Sequence, residues 1–345
     1  MNDELVQILA AVIAALVALA IGVGAKRLGN MLGLLDFPDP AGGRKRHSRI
    51  TPLVGGIGVL MATVVGIMMA LVADGIERPV SEQVAWLGAG VLSLGAFGLA
   101  DDRVGLSPRF RLAGGVLILA VMAAAAPDFS ISFLRFTGVA RLVPLEGWSW
   151  VFTLLCLVGL LNAVNMADGK DGLVISLCLV WLALLYPYVA QGMKPVAAAS
   201  IAALAVLFCF NMAGRLFLGD SGSYALSALI GIISIYTYSH AFDVFPADRV
   251  ALLFAIPVFD TIRLMVTRIL RGGSPFQPDR DHLHHHLAHR WGWPGGLYVY
   301  LVLVAVPSLA AIAVPELSIP LLFVSAAAYI AALRLGSAAQ RGFHA

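Results

Sequence analysis

Charge is the scarce quantity in this sequence. Asp, Glu, Lys and Arg together make up 12% of its 345 residues, against roughly 25% in a soluble domain. Apolar residues make up 60%, more than so few charges could cover in a soluble globule. A soluble enzyme, a nucleic-acid binder and a disordered chain are therefore excluded. Cysteine is scarce too. Cys156, Cys178 and Cys209 all lie inside apolar runs, so no disulfide framework is expected. No internal repeat and no low-complexity linker interrupts the chain, and residues 1–345 read as a single domain. What the chain has in quantity is apolar sequence, with a mean hydropathy of +0.89. The fold class that remains is an all-α polytopic membrane protein.

A helix needs about 20 apolar residues to cross a bilayer. Eleven runs meet that need: roughly 5–25, 53–73, 84–100, 110–126, 148–166, 172–190, 195–212, 221–239, 250–268, 297–313 and 317–335. The first is not expected to be a cleaved signal peptide. Asp3 and Glu4 stand where a basic region should be, and no A-x-A site precedes a soluble domain. Lys and Arg predict the orientation. With the N-terminus outside and the runs alternating, 18 of the 23 Lys and Arg residues fall on the cytoplasmic side. The odd count then puts the C-terminus in the cytoplasm. Acidic residues divide evenly and do not set orientation, but the cytoplasmic ones cluster with Gly, Asn and His in short motifs. Outside, residues 130–144 partly alternate apolar and polar positions, as a small hairpin would.

Five cytoplasmic stretches carry chemistry. The first, residues 35–56, packs Arg44, Lys45, Arg46, His47 and Arg49 between Pro and Gly. It reads either as an anchor for lipid headgroups or as a clamp for phosphates. The second is Asp101-Asp102 at the end of the third run, before Ser107-Pro108, which suit the start of a helix. Two carboxylates sit badly at the negative end of a helix. They call for a cation or a proton, unless solvent alone covers them. The third places Asn162, Asn165, Asp168 and Asp171 at three-residue spacing around a Gly turn. Four such groups at a membrane boundary are costly without partners.

The fourth, Gly219-Asp220-Ser221-Gly222, opens the eighth run. Its helix N-terminus can take an anion, and Asp220 can cap the helix or bind a metal. The fifth runs from Ser274 to His286 and contains Asp279, Arg280, Asp281, His282, His284 and His285. It reads as a donor cluster for phosphates or as a transition-metal site. Asp260 in the ninth run is a further candidate; its plain reading is a pair with Arg263 at i,i+3. All five stretches fall on one side of the membrane under the Lys and Arg count. Carboxylates that suit Mg2+ beside Arg, Lys and His predict phosphoryl transfer at the inner face, with one substrate from water and one from lipid. They are expected to meet around a single divalent ion.

These residues resemble a known family, the polyprenyl-phosphate N-acetylhexosamine-1-phosphate transferases, and within it the undecaprenyl-phosphate GlcNAc-1-phosphate transferases. The stretches that carry the resemblance are RKRH and PLVGG (44–56), the Asp pair at 101–102, NAVNMADGKDGL (162–173), FLGDSGS (217–223) and SPFQPDRDHLHHHL (274–287). The basic first loop and the histidine motif are similar to the GlcNAc branch. The resemblance implies eleven spans in a bacterial inner membrane. It implies transfer of GlcNAc 1-phosphate from UDP-GlcNAc to undecaprenyl phosphate with release of UMP. That is the first step toward a lipid-linked cell-envelope polysaccharide such as O-antigen; the alternative is another UDP-N-acetylhexosamine. It implies Mg2+, with Mn2+ as a substitute, a lipid bilayer as partner, no nucleic acid, and room for a homodimer.

By residue, the resemblance implies that Asp220, with Asp101, holds the metal. Asp101 and Asp102 are the pair near the lipid phosphate, and Asp168 and Asp171 are substrate carboxylates. Asn162 and Asn165 belong to the same substrate motif. Asp171, Asn211 and Phe217 lie near the uridine. His282, His284 and His285 match the family's histidine motif near the diphosphate, Arg280 is a further substrate-binding residue, and Lys45 and His47 match the basic first loop that binds substrate. The chain departs from the family pattern in four places. Its first loop is about three residues longer, Asp39 replaces an Asn, Lys170 stands between two Asp residues, and His286 is extra. Direct attack by the lipid phosphate and a covalent aspartyl intermediate both stay open. A transporter of anionic solutes is the rival from another class. Transporters hold charges near the midplane and often show repeated halves, neither of which is seen in this sequence.

Overall fold

A computed structural model describes residues 2–38, 49–74, 78–275 and 281–342. Among the described residues the chain is helical apart from two ribbons of two residues a side. In chain order the helices are α1 (Asp3–Val23), α2 (Ala25–Leu32), α3 (Gly55–Asp74), α4 (Arg78–Val104), α5 (Pro108–Ala125), α6 (Ser149–Ala167), α7 (Leu173–Leu185), α8 (Lys194–Met212), α9 (Gly219–Ala241), α10 (Ala247–Leu270), α11 (Leu283–Trp291), α12 (Gly295–Ala313) and α13 (Ser318–Gly342). The ribbons pair β1 (Leu35–Asp36) with β2 (Thr51–Pro52), and β3 (Phe133–Leu134) with β4 (Val143–Pro144). The second ribbon is the hairpin expected within residues 130–144.

Nine helices among the described residues are long and apolar enough to cross a membrane, so the chain is a multi-pass, all-α membrane protein. The other two expected runs are helical but differ in kind. α7 is short and passes into a 3-10 turn at Tyr186–Tyr188. α9 spans 23 residues, yet serines and tyrosines dilute its apolar character. Residues 221–238 are all buried. A helix enclosed by protein has no lipid to face and can carry those hydroxyls; Ser227 Oγ, for one, turns back on Ser223 O at 2.6 Å, and Ser221 Oγ donates to Gly95 O at 3.0 Å.

The chain divides into two compact units, Met1–Ala126 with Val174–Ile233, and Pro127–Leu173 with Ser234–Ala345. In the first, α1, α3 and α8 pack on one another, and α4 lies against α3 and α5. α1 turns Ala10, Ala14, Ala18 and Gly22, one residue in four, into this contact. Small residues at that spacing let helices approach closely. A Cβ on Gly66 would lie 2.4 Å from the Val196 Cα, so α3 and α8 meet backbone to backbone.

In the second unit, α10, α12 and α13 pack together with α11 against α12 and α13, and α6 against α10. The β3–β4 ribbon is tied to the ends of α9 and α10. Tyr238 donates its hydroxyl to Phe133 O at 2.9 Å and accepts from Arg135 N at 2.8 Å. Asp248 Oδ1 accepts from Thr137 N at 2.8 Å.

Candidate active site

The first unit builds an acidic centre. Pro52, Gly55 and Gly56 lie along residues 217–218 through Phe217 N to Pro52 O at 2.8 Å, Gly55 N to Phe217 O at 3.0 Å and Gly56 N to Leu218 O at 2.9 Å. The glycines at 55 and 56 are needed for this approach, since a Cβ on Gly56 would lie 2.4 Å from Gly222 N. Asn211 braces the same segment, donating to Leu216 O at 2.9 Å from a buried position. The stretch delivers the start of α9 to the end of α4. Gly98 makes that possible, because a Cβ there would meet the Asp220 carbonyl oxygen at 2.4 Å.

At this junction the Asp pair finds its partners. Asp102 Oδ1 accepts from Asp220 N at 2.8 Å, and its Oδ2 accepts from Ser221 N at 3.0 Å. The carboxylate thus leaves the negative end of α4 for the positive end of α9, where a charge is favoured. Gly219, at φ +75, passes so close that a Cβ would sit 2.6 Å from Asp102 Oδ2. Asp101 turns the other way and its side chain is fully buried. Its Oδ1 accepts from Leu106 N at 2.7 Å. Arg111 Nε lies 2.7 Å from its Oδ2, but off the line of a hydrogen bond. Arg111 Nη1 lies 3.4 Å from Asp220 Oδ2. One guanidinium therefore bridges the two carboxylates. Ser107 is extended with Pro108 at the first helical position, and this places Arg111 on the first turn of α5.

A divalent ion fits this donor set. Asp101 offers a buried oxygen with no aligned donor, and Asp220 a partly exposed carboxylate beside it. Among the described residues no group of three His, Cys, Asp or Glu side chains could hold a metal. Two carboxylates suit Mg2+, which takes one or two of them and fills its shell with water and substrate oxygens.

The second unit builds a basic and polar centre. Asp168 ends α6 as its C-cap, and Gly169 to Gly172 form a turn with Gly172 at φ +79. Trp293 holds this turn, donating from Nε1 to Asp171 O at 2.9 Å, and the Lys170 ammonium lies 5.9 Å from its ring centroid. Asn162 donates to Val158 O in its own helix at 2.8 Å; Asn165 lies one turn on in the same helix.

Against the turn lies the histidine cluster. The rings of His282 and His284 stack at 5.3 Å, and His285 is 4.3 Å from His284. A Cβ on Gly169 would strike His284 Nε2 at 2.6 Å, so glycine there admits the ring. His284 is buried, and its Nε2 has no hydrogen-bond partner among the described residues. Burial, and then the neighbouring His285, His282 and Lys170, hold it neutral, well below the usual imidazole range. His286 is engaged at both nitrogens, by Asp281 Oδ1 at 2.8 Å and Ser337 Oγ at 3.3 Å. The hydrogen bond from His286, helped by Arg263 against partial burial, draws Asp281 down to about 2.

The structure thus brings Asp101, Asp102 and Asp220 together with the segment carrying Asn211 and Phe217. It also brings Asp168, Gly169 and Asp171 together with His282, His284 and His285. Lys45, His47 and Arg280 lie outside the described residues. Arg111 and Trp293 were not singled out from sequence. The signal for Arg111 was its place three residues after a Pro at a helix start; Trp293 carried none.

Residues 84–238 match glycosyl transferase family 4. The chain is 32% identical over 304 residues to the undecaprenyl-phosphate alpha-N-acetylglucosaminyl 1-phosphate transferase of Yersinia pestis, across 84% of this chain and 79% of that one. It is 30% identical to the Escherichia coli protein of the same description, across 84% and 78%. It is 29% identical to the decaprenyl-phosphate N-acetylglucosaminephosphotransferase of Mycobacterium tuberculosis, across 76% and 70%. The chain therefore belongs to glycosyl transferase family 4, among the polyprenyl-phosphate N-acetylhexosamine-1-phosphate transferases, and is a sugar-phosphate transferase.

Proposed function

We propose that this protein transfers GlcNAc 1-phosphate from UDP-GlcNAc to undecaprenyl phosphate and releases UMP, at the cytoplasmic face of a bacterial inner membrane. The whole chain acts as one catalytic domain with eleven crossings, N-terminus outside and C-terminus in the cytoplasm, and starts a lipid-linked envelope polysaccharide. The names of the three relatives support the sugar: all carry N-acetylglucosamine, while the prenyl carrier differs among them. The distribution of Lys and Arg supports the orientation. The observation that carries the reading is the convergence of Asp101 and Asp220 on Arg111 at the start of α9.

Asp220 and Asp101 would hold Mg2+, or Mn2+ in its place. The ion would supply charge neutralisation for the diphosphate oxygens and the departing UMP. Asp102 fixes the helix end that presents Asp220, and Arg111 keeps the two carboxylates from repelling each other. Asp168 and Asp171, with Asn162, Asn165, Asn211 and Phe217, bind the UDP-sugar. Lys45, His47, Arg280, His284 and His285 meet anionic oxygens, and His282 binds the sugar nucleotide beside them. An oxygen of the lipid phosphate forms a bond to the phosphorus that bears the sugar, and the bond from that phosphorus to the UMP oxygen breaks. A phosphate monoester has a second pKa of ~6 and is mostly dianionic at pH 7, so the attacking oxygen needs no strong base.

The test is UMP release from membranes given undecaprenyl phosphate, Mg2+ and a panel of UDP-sugars. UDP-GlcNAc should be the best donor, and EDTA and Asp220→Asn should each abolish the signal. Equal rates with every donor would overturn the assignment of the sugar, and full activity in EDTA the assignment of the metal.

A further inference from the structure

Asp260, on α10, accepts hydrogen bonds from its own helix, from α13 and from the start of α11. Its Oδ1 accepts from Arg263 Nη2 at 3.0 Å, from Tyr329 Oη at 2.8 Å and from Leu283 N at 3.1 Å. Its Oδ2 faces His282 Nδ1 at 3.1 Å and Leu283 N at 3.2 Å. Tyr329 in turn accepts from Arg263 Nε at 2.7 Å, so its own proton points at Asp260. Arg263 also reaches Asp281, through Nη1 to Oδ2 at 3.0 Å and through Nη2 to the carbonyl oxygen. Only 6% of the Asp260 side chain is exposed.

Two consequences follow. Leu283 is the first residue of α11, whose N-cap, His282, makes no side-chain capping bond. Asp260 supplies that cap from another helix, with the charge at the favoured end. In addition, the arginine, the backbone amide and the tyrosine all donate to Asp260, so its oxygens act as acceptors. His282 must then carry a proton on Nδ1. A histidine fixed at one nitrogen by a carboxylate presents the other in a set direction.

We infer that Asp260 is the positioning residue of the histidine motif. It seats the start of α11 and fixes the proton of His282 on Nδ1, so that the bare Nε2 is the nitrogen offered to the sugar nucleotide, as an acceptor for one of its hydroxyl or N–H protons. This rests on the proposed role of His282 in binding substrate. Arg263 and Tyr329 hold the carboxylate in turn, which gives the last membrane helix, α13, a part in ordering the motif.

The test needs a readout other than turnover. In purified protein labelled with 15N-histidine, the His282 ring signals are identified by their loss in His282→Gln. In the wild type, neutral His282 should show a protonated Nδ1 and a bare Nε2; in Asp260→Asn both tautomers should appear. With UDP-GlcNAc and undecaprenyl phosphate, Asp260→Asn should lower kcat about 10–100-fold, the range for loss of a residue that orients a ligand. His282→Gln should lower it as much, and the double variant no further, because the two act as one unit. Tyr329→Phe, which keeps the carboxylate, should lower it less and serves if Asp260→Asn does not fold. A His282 protonated on Nε2 in the wild type, or multiplicative losses in the double variant, would overturn the inference. Failure of the wild type to release UMP would instead overturn the proposed function and leave the ring signals readable.

Discussion

Asp102 accepts the backbone amides of Asp220 at 2.8 Å and Ser221 at 3.0 Å, so the carboxylate of one motif caps the helix that carries the other. Structural and chemical losses should therefore separate between these two positions. Asp102→Ala removes a cap, which costs about 0.5–2 kcal/mol, and it also frees Asp220 to move. It should lower both thermal stability and UMP release. Asp220→Asn keeps the amide in place and should abolish UMP release with little change in melting temperature. Paired melting and activity curves decide this. A stable, inactive Asp102→Ala would show that the cap contributes nothing to the fold.

Arg111 is a cation shared by Asp101 and Asp220. Arg111→Ala would leave Asp101 buried without it, and breaking a buried pair costs roughly 3–5 kcal/mol. The Arg111 side chain is 35% exposed, so the loss should fall at the low end of that range. Arg111→Lys should recover part of the stability, since a single ammonium cannot span two carboxylates as a guanidinium does. Denaturant unfolding in detergent measures both. Equal stability of the Ala and Lys variants would show that charge is not what Arg111 contributes.

How much of this centre was legible in sequence can be read from the same residues. The Asp pair stood out because it sits badly at the end of α4, but what relieves it is 118 residues away in the chain, beyond any local pattern. Arg111 counted only toward orientation for the same reason. Local pairs were legible: Asp260 and Arg263 meet at i,i+3, 3.0 Å apart. His286 could not be told from its three neighbours by spacing. It differs because Asp281 and Ser337 take both of its nitrogens. α9 was read as one more membrane-crossing run, and its serine and tyrosine hydroxyls go with a helix whose residues 221–238 are all buried.

Acid should act on the second unit through two groups. His284 is held neutral by burial, whereas the unfolded chain binds its proton near 6.5. Stability is full above that value and declines as pH falls below it, by at most ~1.4 kcal/mol per pH unit for one proton. Asp281 is drawn from 3.8 to about 2 by His286 and Arg263. Its contribution is present above 3.8 and is lost as pH falls toward 2. Melting temperature should therefore decline between pH 6.5 and 5 in the wild type. His284→Gln should flatten that slope. An unchanged slope in this variant would show that His284 is not its source.

Gly169 faces His284, and a Cβ there would lie 2.6 Å from Nε2. Gly169→Ala must push the ring away or shift the turn that carries Asp168 and Asp171. Overpacking of this kind costs typically 1–3 kcal/mol. Turnover should fall at least about tenfold, because an ångström of misplacement can cost a hundredfold. Activity at saturating UDP-GlcNAc checks it. Full activity would place His284 outside the chemistry.

Asp168 and His284 belong to the same unit, in elements that touch at Gly169, so single cysteines there must report the same side of the membrane. The proposed orientation makes that side the cytoplasm. With Cys156, Cys178 and Cys209 replaced by Ser or Ala, Asp168→Cys and His285→Cys should stay unlabelled by a membrane-impermeant maleimide in intact cells. Both should react in inverted vesicles. A cysteine at Arg141, in the exposed tip of the β3–β4 ribbon, should show the reverse. Labelling of Asp168→Cys from outside would invert the orientation and overturn the proposed cytoplasmic face of the site.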